Sequence, residues 1–389
     1  MFAIVAPGQG AQKPGFLAPW LAVPAVADRV AWWSAVTGLD LAALGTTADA
    51  DTIRDTAIAQ PLLVAGALAA AAELFEAPIR GGVTAGHSVG EFAAAAIAGA
   101  LSPEAALVLV RERGRAMAAA SAVTPTGMSA VLGGEPTDVL ARLDALGLTA
   151  ANRNGDGQVV AAGPLQALLE LAADPPAKSR VRSLSVAGAF HTRYMRPAHD
   201  TLALLASGVP TRDPRMTLLS NADGSVVSSG RALLDRLVAQ VAAPVRWDLC
   251  MRTLADLGIT GVVELPPAGT LTGLIKRALP GVETLALTTP DDLPAARSLL
   301  SAHPTPSEAE HAPAWRLVIA PLAGTFRRKP LSAGDELPVG AALGVIDSHR
   351  VEQPVATPHG GTLVEWLAED GDPVAPGQPL ARLHPEAAH

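Results

Sequence analysis

The sequence is poor in cysteine, in lysine and in long apolar runs, and each shortage excludes a class of protein. Its single cysteine, Cys250, cannot form an internal disulfide, which fits a reducing compartment. Only four of its 29 cationic residues are lysines, and its net charge of −8 argues against a nucleic-acid surface. Apolar runs such as 62–72 are too short to span a bilayer, and the first residues lack the basic segment of a signal peptide. We therefore expect a cytoplasmic protein.

The 389 residues, 49% of them apolar, suffice for two or three domains. Residues 1–288 alternate strand-like runs with apolar helices, which predicts an α/β domain with a mostly parallel sheet. Within it, residues 128–187 follow a strand–helix–strand–strand–helix–strand order, which predicts a ferredoxin-like insert. Residues 289–314 are rich in proline and alanine and predict a linker with a short helix. Residues 315–385 combine short strands with glycine and proline turns, which predicts a small all-β domain.

The most informative motif is Gly86-His87-Ser88-Val89-Gly90-Glu91, which contains the Gly-x-Ser-x-Gly pattern of a nucleophile elbow. A buried strand is predicted over 82–85 and a helix over 92–100. The glycines would let neighbouring backbone pass closely, and the helix start would point free N–H groups at the serine. Ser88 is therefore a candidate nucleophile.

Three further segments carry candidate partners for this serine. Residues 7–12 form a glycine-rich turn after the first strand, but they lack the Gly-Lys-Ser/Thr ending of a phosphate loop. Arg113 lies on a predicted helix, either on a solvated charged face or turned inward to hold a carboxylate. His191 is either a structural histidine or the base that a serine nucleophile needs, with a pKa near neutrality and a rate that rises with pH through it.

Together these segments resemble the malonyl-CoA:acyl-carrier-protein transacylases and the acyltransferase domains of polyketide synthases. The family's Pro-Gly-Gln-Gly-x-Gln and Gly-His-Ser-x-Gly-Glu motifs are present at 7–12 and 86–91. Its Phe-His motif is present at 190–191, and the spacing of its active-site arginine falls on Arg113. The resemblance covers roughly residues 1–288 and implies an α/β-hydrolase-like large subdomain around the ferredoxin-like insert.

The resemblance also implies roles for individual residues. Ser88 would be the nucleophile, and His191 the general base and acid, oriented by a backbone carbonyl expected near Arg246. The backbone N–H groups of Gln9 and Val89 would form the oxyanion hole.

Three more residues are assigned to the substrate by the same resemblance. Arg113 would pair with the malonyl carboxylate, and Gln60 lies in a family-like Ala-Gln-Pro-Leu-Leu stretch. Phe190 matches the malonyl-type motif rather than the methylmalonyl type.

The implied reaction is ping-pong transfer of malonyl from malonyl-CoA to the phosphopantetheine thiol of an acyl carrier protein, in fatty-acid or polyketide synthesis. It needs no cofactor and no metal, and no nucleic acid or membrane. Two alternatives are an acyl-thioester hydrolase built on the same elbow and a scaffold that links acyl transfer to a carboxylase. A buried Arg113 would argue against a simple esterase, which has no need for such a cation.

The C-terminal segment resembles the biotinyl carrier domains of acetyl-CoA carboxylase, beginning with Ala320–Phe326. In that family a hairpin turn presents a lysine that carries biotin, and the corresponding position here is Arg350. A guanidinium cannot form the biotinyl amide, and Lys329 lies outside the turn. The resemblance implies a docking or stabilising module without biotin, whose partner could be a carboxylase or synthase component.

Overall fold

The structure is a computed structural model that describes residues 1–75, 81–155, 157–305, 316–348, 351–358 and 360–385. The chain divides into two compact units, residues 1–305 and 306–389. The helices of the first unit are α1 (Ala18–Leu21), α2 (Pro24–Thr37), α3 (Leu41–Thr46), α4 (Thr56–Leu74), α5 (Gly90–Ile97), α6 (Pro103–Ser121), α7 (Pro136–Ala145), α8 (Leu165–Ala173), α9 (Arg196–Ala206), α10 (Gly230–Ala239), α11 (Trp247–Asp256), α12 (Thr270–Ala278) and α13 (Leu293–Ala302). Its strands are β1 (Phe2–Ala6), β2 (Val83–Gly86), β3 (Thr126–Gly133), β4 (Thr149–Arg153), β5 (Gln158–Pro164), β6 (Ser179–Ser183), β7 (Thr217–Leu218), β8 (Val245–Arg246), β9 (Gly261–Glu264) and β10 (Glu283–Ala286).

A parallel sheet in the order β10-β9-β1-β2-β7 forms the centre of the first unit. Every residue of β1 and β2 is buried, as expected for parallel strands covered on both faces. Ala6 pairs with Gly86, so the two strands end side by side. The glycine-rich turn after β1 and the serine motif after β2 therefore meet at the carboxyl edge of the sheet.

The insert forms a second sheet in the order β6-β3-β5-β4, with antiparallel pairing between these strands. Its element order is the one that the sequence predicts for 128–187, although β3 begins at Thr126 and β6 ends at Ser183. Strand β8 of the surrounding domain extends this sheet by pairing in parallel with β4. The insert is thus joined to the main domain through backbone hydrogen bonds as well as through its two connections.

Helix α4 is a core helix, of which the sequence indicates only an apolar run. Its 19 residues are long and apolar enough to cross a membrane by composition alone, but most of them are buried inside the protein. The helix packs along α6. Because Gln60 lies on α4 and Arg113 on α6, this packing brings the two side chains together.

Helix α13 extends the first unit beyond the predicted start of the linker at residue 289. The helix buries Leu293, Ala296 and Leu299 in the main core, one side chain on each successive turn. Arg297 also donates a hydrogen bond to the carbonyl oxygen of Glu73 at 2.6 Å. The structure therefore places the boundary after Thr305 rather than at residue 288.

The second unit contains only β-strands among its described residues. They are β11 (Arg316–Ile319), β12 (Gly324–Arg328), β13 (Glu336–Leu337), β14 (Ala342–Ser348), β15 (Val351–Ala356), β16 (Gly361–Trp366), β17 (Pro373–Val374) and β18 (Pro379–Pro385). They form two four-stranded antiparallel sheets, β11-β18-β16-β13 and β15-β14-β12-β17. Phe326, Leu343 and Ile346 are fully buried in their common core. Strands β14 and β15 pair up to Ser348 and Val351, whereas Arg350, which the sequence aligns with the biotinylated lysine, lies outside the described residues.

Candidate active site

Ser88 occupies a strained turn between β2 and α5, with a φ of 53°. The flanking glycines make this turn possible because a Cβ atom at Gly86 would overlap the backbone of Gly90. A Cβ atom at Gly90 would likewise overlap the carbonyl oxygen of Ala6. The backbone N–H of Ser88 donates to Asn221 Oδ1 at 2.8 Å. The motif thus forms a strand-to-helix elbow in the structure.

His191 lies against this serine, with its Nε2 2.7 Å from Ser88 Oγ. Its Nδ1 is 2.8 Å from the backbone carbonyl oxygen of Gln240. Because a carbonyl only accepts, Nδ1 carries the proton and Nε2 is free to accept one from the serine hydroxyl. The prediction that this carbonyl lies near Arg246 was wrong, because the partner is the carbonyl of Gln240. Arg246 lies in β8, where its N–H donates to the Asn221 carbonyl and its side chain pairs with Asp248.

Burial lowers the pKa of His191 to about 3, and the positive charge of Arg113 adds to this effect. The imidazole is therefore neutral at physiological pH. The expectation of a pKa near neutrality was wrong, because the sequence does not reveal the desolvation of a fully buried ring.

Gln9 and Val89 line the same cavity as Ser88. Within the described part of the chain, neither of their backbone N–H groups donates a hydrogen bond to another residue. The Gln9 side chain is fixed separately, since its amide donates to Thr56 Oγ1 at 3.0 Å. These two donors are thus available to an oxygen bound beside the serine.

Arg113 is turned inward, which decides between the two interpretations of its helix. Its side chain is 1% exposed, and its Nη1 and Nη2 donate to Gln60 Oε1 at 2.7 Å and Gln240 Oε1 at 3.1 Å. Its Nε has no partner among the described residues. Burial lowers the pKa of Arg113 to about 10, so the guanidinium still carries its charge at neutral pH.

Ser88, His191 and Arg113 open onto one cavity of about 260 Å³. Its walls are mostly apolar, and Phe190 and Gln60 also line it. His87, the other histidine at this cavity, binds Asn154 Oδ1 through Nε2 at 2.8 Å. The structure therefore brings together all seven residues that the sequence proposed for the site: Gln9, Gln60, Ser88, Val89, Arg113, Phe190 and His191.

Comparison with known proteins identifies the family. The acyl transferase domain model matches residues 3–297. The malonyl CoA-acyl carrier protein transacylase of Mycobacterium tuberculosis is 55% identical over 296 residues, which are 75% of this chain and 98% of that protein. The Escherichia coli K12 protein of the same name is 32% identical over 310 residues, covering 77% and 99% of the two chains. This chain belongs to the malonyl CoA-acyl carrier protein transacylase family.

Solved structures agree with this assignment. The crystal structure of the Mycobacterium tuberculosis transacylase has a TM-score of 0.75 and 54% identity, and the match covers 76% of this chain and 99% of that one. A malonyl-transacylase solved in complex with its type II PKS acyl-carrier protein has a TM-score of 0.72 and 30% identity, covering 76% and 99%.

Three polar residues of this transacylase site were not expected from the sequence. Asn221 holds the elbow, Gln240 orients His191 and contacts Arg113, and the buried Glu91 accepts hydrogen bonds from both of these amide residues. Glu91 lies within the serine motif, and Asn221 lies within Ser220-Asn221-Ala222-Asp223, a stretch that also resembles the transacylase family, so both positions had a signal in the sequence. Gln240 had none.

The neutral imidazole of His191 leads to a prediction about pH. Since kcat/KM for acylation reports ionisations of the free enzyme, the rate with malonyl-CoA should show no rise with pH through the ordinary histidine pKa. On the acid side it should fall only as the pH approaches the lowered pKa of about 3. Stopped-flow measurement of CoA release tests this, and a rise in rate with a midpoint near the ordinary histidine pKa would contradict it.

Proposed function

We propose that this enzyme transfers a malonyl group from malonyl-CoA to the phosphopantetheine thiol of an acyl carrier protein through a malonyl ester on Ser88. The observation that carries the proposal is a buried guanidinium, with no carboxylate in direct contact among the described residues, in the same cavity as a serine–histidine pair 2.7 Å apart. The pair supports acyl transfer, and the guanidinium supports an acyl group with a free carboxylate.

The first half-reaction begins when Ser88 Oγ attacks the thioester carbonyl as His191 Nε2 takes its proton. The N–H groups of Gln9 and Val89 donate to the oxyanion that forms. As the carbon–sulfur bond breaks, His191 returns the proton to the sulfur of CoA. In the second half-reaction His191 takes the proton of the carrier thiol, the sulfur attacks the ester, and Ser88 Oγ regains the proton.

Arg113 selects the substrate in this mechanism. A malonyl carboxylate would pair with the guanidinium, whereas an acetyl group would leave the guanidinium without an anion in direct contact. Gln60 fixes the orientation of the guanidinium through Nη1. Phe190, 5% exposed and at the cavity wall, would limit room for a branched acyl group such as methylmalonyl. The same buried cation disfavours a simple thioester hydrolase.

We further propose that the first unit combines an α/β-hydrolase-like large subdomain with a ferredoxin-like insert, and that the second unit is a biotinyl-like domain without biotin. The antiparallel order β6-β3-β5-β4 supports the insert, and the two four-stranded sheets support the biotinyl-like fold. In this proposal the second unit docks a carboxylase or synthase component and brings acyl transfer close to it. Cys250 is buried as a free thiol that forms no disulfide, which is consistent with a cytoplasmic location.

The covalent step predicts a malonyl adduct on one residue. Mass spectrometry of the intact protein after malonyl-CoA should show one added malonyl group, and Ser88→Ala should abolish it. Ser207→Ala, which alters an exposed serine at the end of α9, serves as the matched control and should acylate normally. An adduct that persists on the Ser88→Ala protein would reject this nucleophile.

Selection of the substrate by a buried cation predicts the effect of Arg113→Ala. Malonyl transfer should lose about 3–5 kcal/mol of transition-state stabilisation, because the substrate carboxylate would be buried without a cation. Acetyl transfer should fall far less or rise. Arg115→Ala, which alters a half-exposed arginine on the same helix, is the control and should change neither rate. Equal losses with both acyl groups would contradict the role of Arg113.

The unit boundary predicts different outcomes for two truncations. A chain of residues 1–305 should melt close to the first transition of the full chain and acylate Ser88 at the same rate. A chain of residues 1–288 lacks Leu293, Ala296 and Leu299 and should lose at least about 3 kcal/mol of stability. A folded 1–305 chain that fails to acylate would place part of the active site in the second unit.

The 1–305 chain also tests docking. Full-length protein should co-purify with a biotin-dependent carboxylase or a synthase component, and the shortened chain should not. Equal recovery of the partner with both chains would contradict docking through the second unit.

A further inference from the structure

Glu91 is a buried carboxyl group that the acyl-transfer mechanism does not use. It is 1% exposed, and its oxygens accept hydrogen bonds from the backbone N–H of Asn221 at 3.0 Å and from Gln240 Nε2 at 2.5 Å. No cation of the described residues lies within ion-pair distance of it. A buried carboxylate without a cation in contact is unfavourable unless hydrogen bonds or a bound proton compensate for its lost hydration.

Gln240 connects Glu91 to Arg113. Its Oε1 accepts from the guanidinium at 3.1 Å, while its Nε2 donates to the carboxylate. Its backbone carbonyl accepts from His191 Nδ1. One residue thus touches the substrate-binding cation, the buried carboxyl group and the base.

Glu91, Gln240, Arg113 and His191 form a buried cluster. The charges of this cluster balance only without substrate. With Glu91 ionised, its negative charge offsets the positive charge of Arg113, and the neutral His191 adds nothing. A malonyl carboxylate that pairs with Arg113 brings a second negative charge into the same buried region. A net buried charge is unfavourable, and one proton on Glu91 restores neutrality.

We propose that Glu91 takes up one proton from solvent when a substrate carboxylate binds Arg113, and releases it when the malonyl group leaves on the carrier. Glu91 thereby acts as a positioning residue for Arg113, which it influences through Gln240. This inference rests on the proposed role of Arg113.

The other titratable groups of the cluster do not change charge near neutral pH. Burial lowers the pKa of His191 to about 3 and that of Arg113 to about 10. Burial also lowers the pKa of His87 and raises that of the Cys250 thiol, so both stay neutral. Burial raises the pKa of Glu91 to about 7, which leaves this group able to exchange a proton under working conditions.

The sign of the pH dependence follows from this linkage. Above the free pKa of about 7, malonyl binding requires uptake of a proton, so the affinity falls as the pH rises. The loss should approach about tenfold per pH unit until the pH reaches the higher pKa of the complex. Binding of acetyl-CoA, which shares every phosphate with malonyl-CoA but lacks the carboxylate, should not show this slope.

The experiment is isothermal titration calorimetry of the full-length Ser88→Ala protein, which binds without reacting. Malonyl-CoA and acetyl-CoA are titrated at about pH 8 in two buffers of different ionisation enthalpy. Because a group with a pKa of about 7 is about nine-tenths ionised at that pH, malonyl-CoA should take up close to one proton more than acetyl-CoA. Adding Glu91→Gln should remove this difference and raise malonyl-CoA affinity at the same pH by up to about tenfold.

Equal proton uptake for the two ligands would overturn the proposal. A difference that persists in the Glu91→Gln protein would assign the proton to another group and overturn it too. If that variant does not fold, the affinities of the Ser88→Ala protein between about pH 7 and pH 9 replace it, and a malonyl-CoA affinity with the same pH dependence as acetyl-CoA would also overturn the proposal. Arg113→Ala separates the two proposals: an unchanged malonyl-to-acetyl affinity ratio rejects the role of Arg113 itself, whereas a collapsed ratio without proton uptake in the parent protein rejects only Glu91.

Discussion

Burying the guanidinium of Arg113 is the constraint on which the rest of this site depends. Removing such a charge from water costs several kcal/mol, and an uncompensated cation in the core would destabilise the fold. The structure surrounds it with the neutral amide oxygens of Gln60 and Gln240 and with the ring of Phe92. These partners solvate the charge without neutralising it, so the cation remains available for an anionic group.

The neutral amide of Gln240 leaves Arg113 without a permanent ion pair. A glutamate at position 240 would hold Arg113 in such a pair and would compete with a substrate carboxylate. The carboxylate is instead that of Glu91, which does not contact the guanidinium directly. The Gln240 side chain lies between the two groups and is hydrogen-bonded to both. Because the same residue orients His191, the positions of Arg113 and of His191 both depend on a single turn at the end of α10.

The sequence predicts those parts of the structure that arise from local patterns. The elbow at Ser88 follows from glycine spacing, and the element order of the insert follows from periodicity. The roles of Asn221 and Gln240 could not be found from local patterns, since these residues reach Ser88 from 133 and 152 residues away. Composition was misleading about where α13 belongs: the sequence predicts a short helix there but assigns it to the linker, whereas Leu293, Ala296 and Leu299 form an apolar stripe that packs into the core. The carbonyl partner of the histidine, expected near Arg246, was misplaced for a similar reason, because only the folded chain brings Gln240 to the ring.

Ser88 and His191 both stand on strained backbone, with φ angles of 53° and 61°. Each non-glycine residue in this region costs about 1–3 kcal/mol and persists only where its surroundings fix it. Asn221 holds the serine through its N–H, and Gln240 holds the histidine through its carbonyl. Gln240 Nε2 also lies 3.2 Å from Asn221 Oδ1, which joins the two supports. The residues that set the 2.7 Å approach of Oγ and Nε2 are therefore the same ones that keep the strained conformations in place.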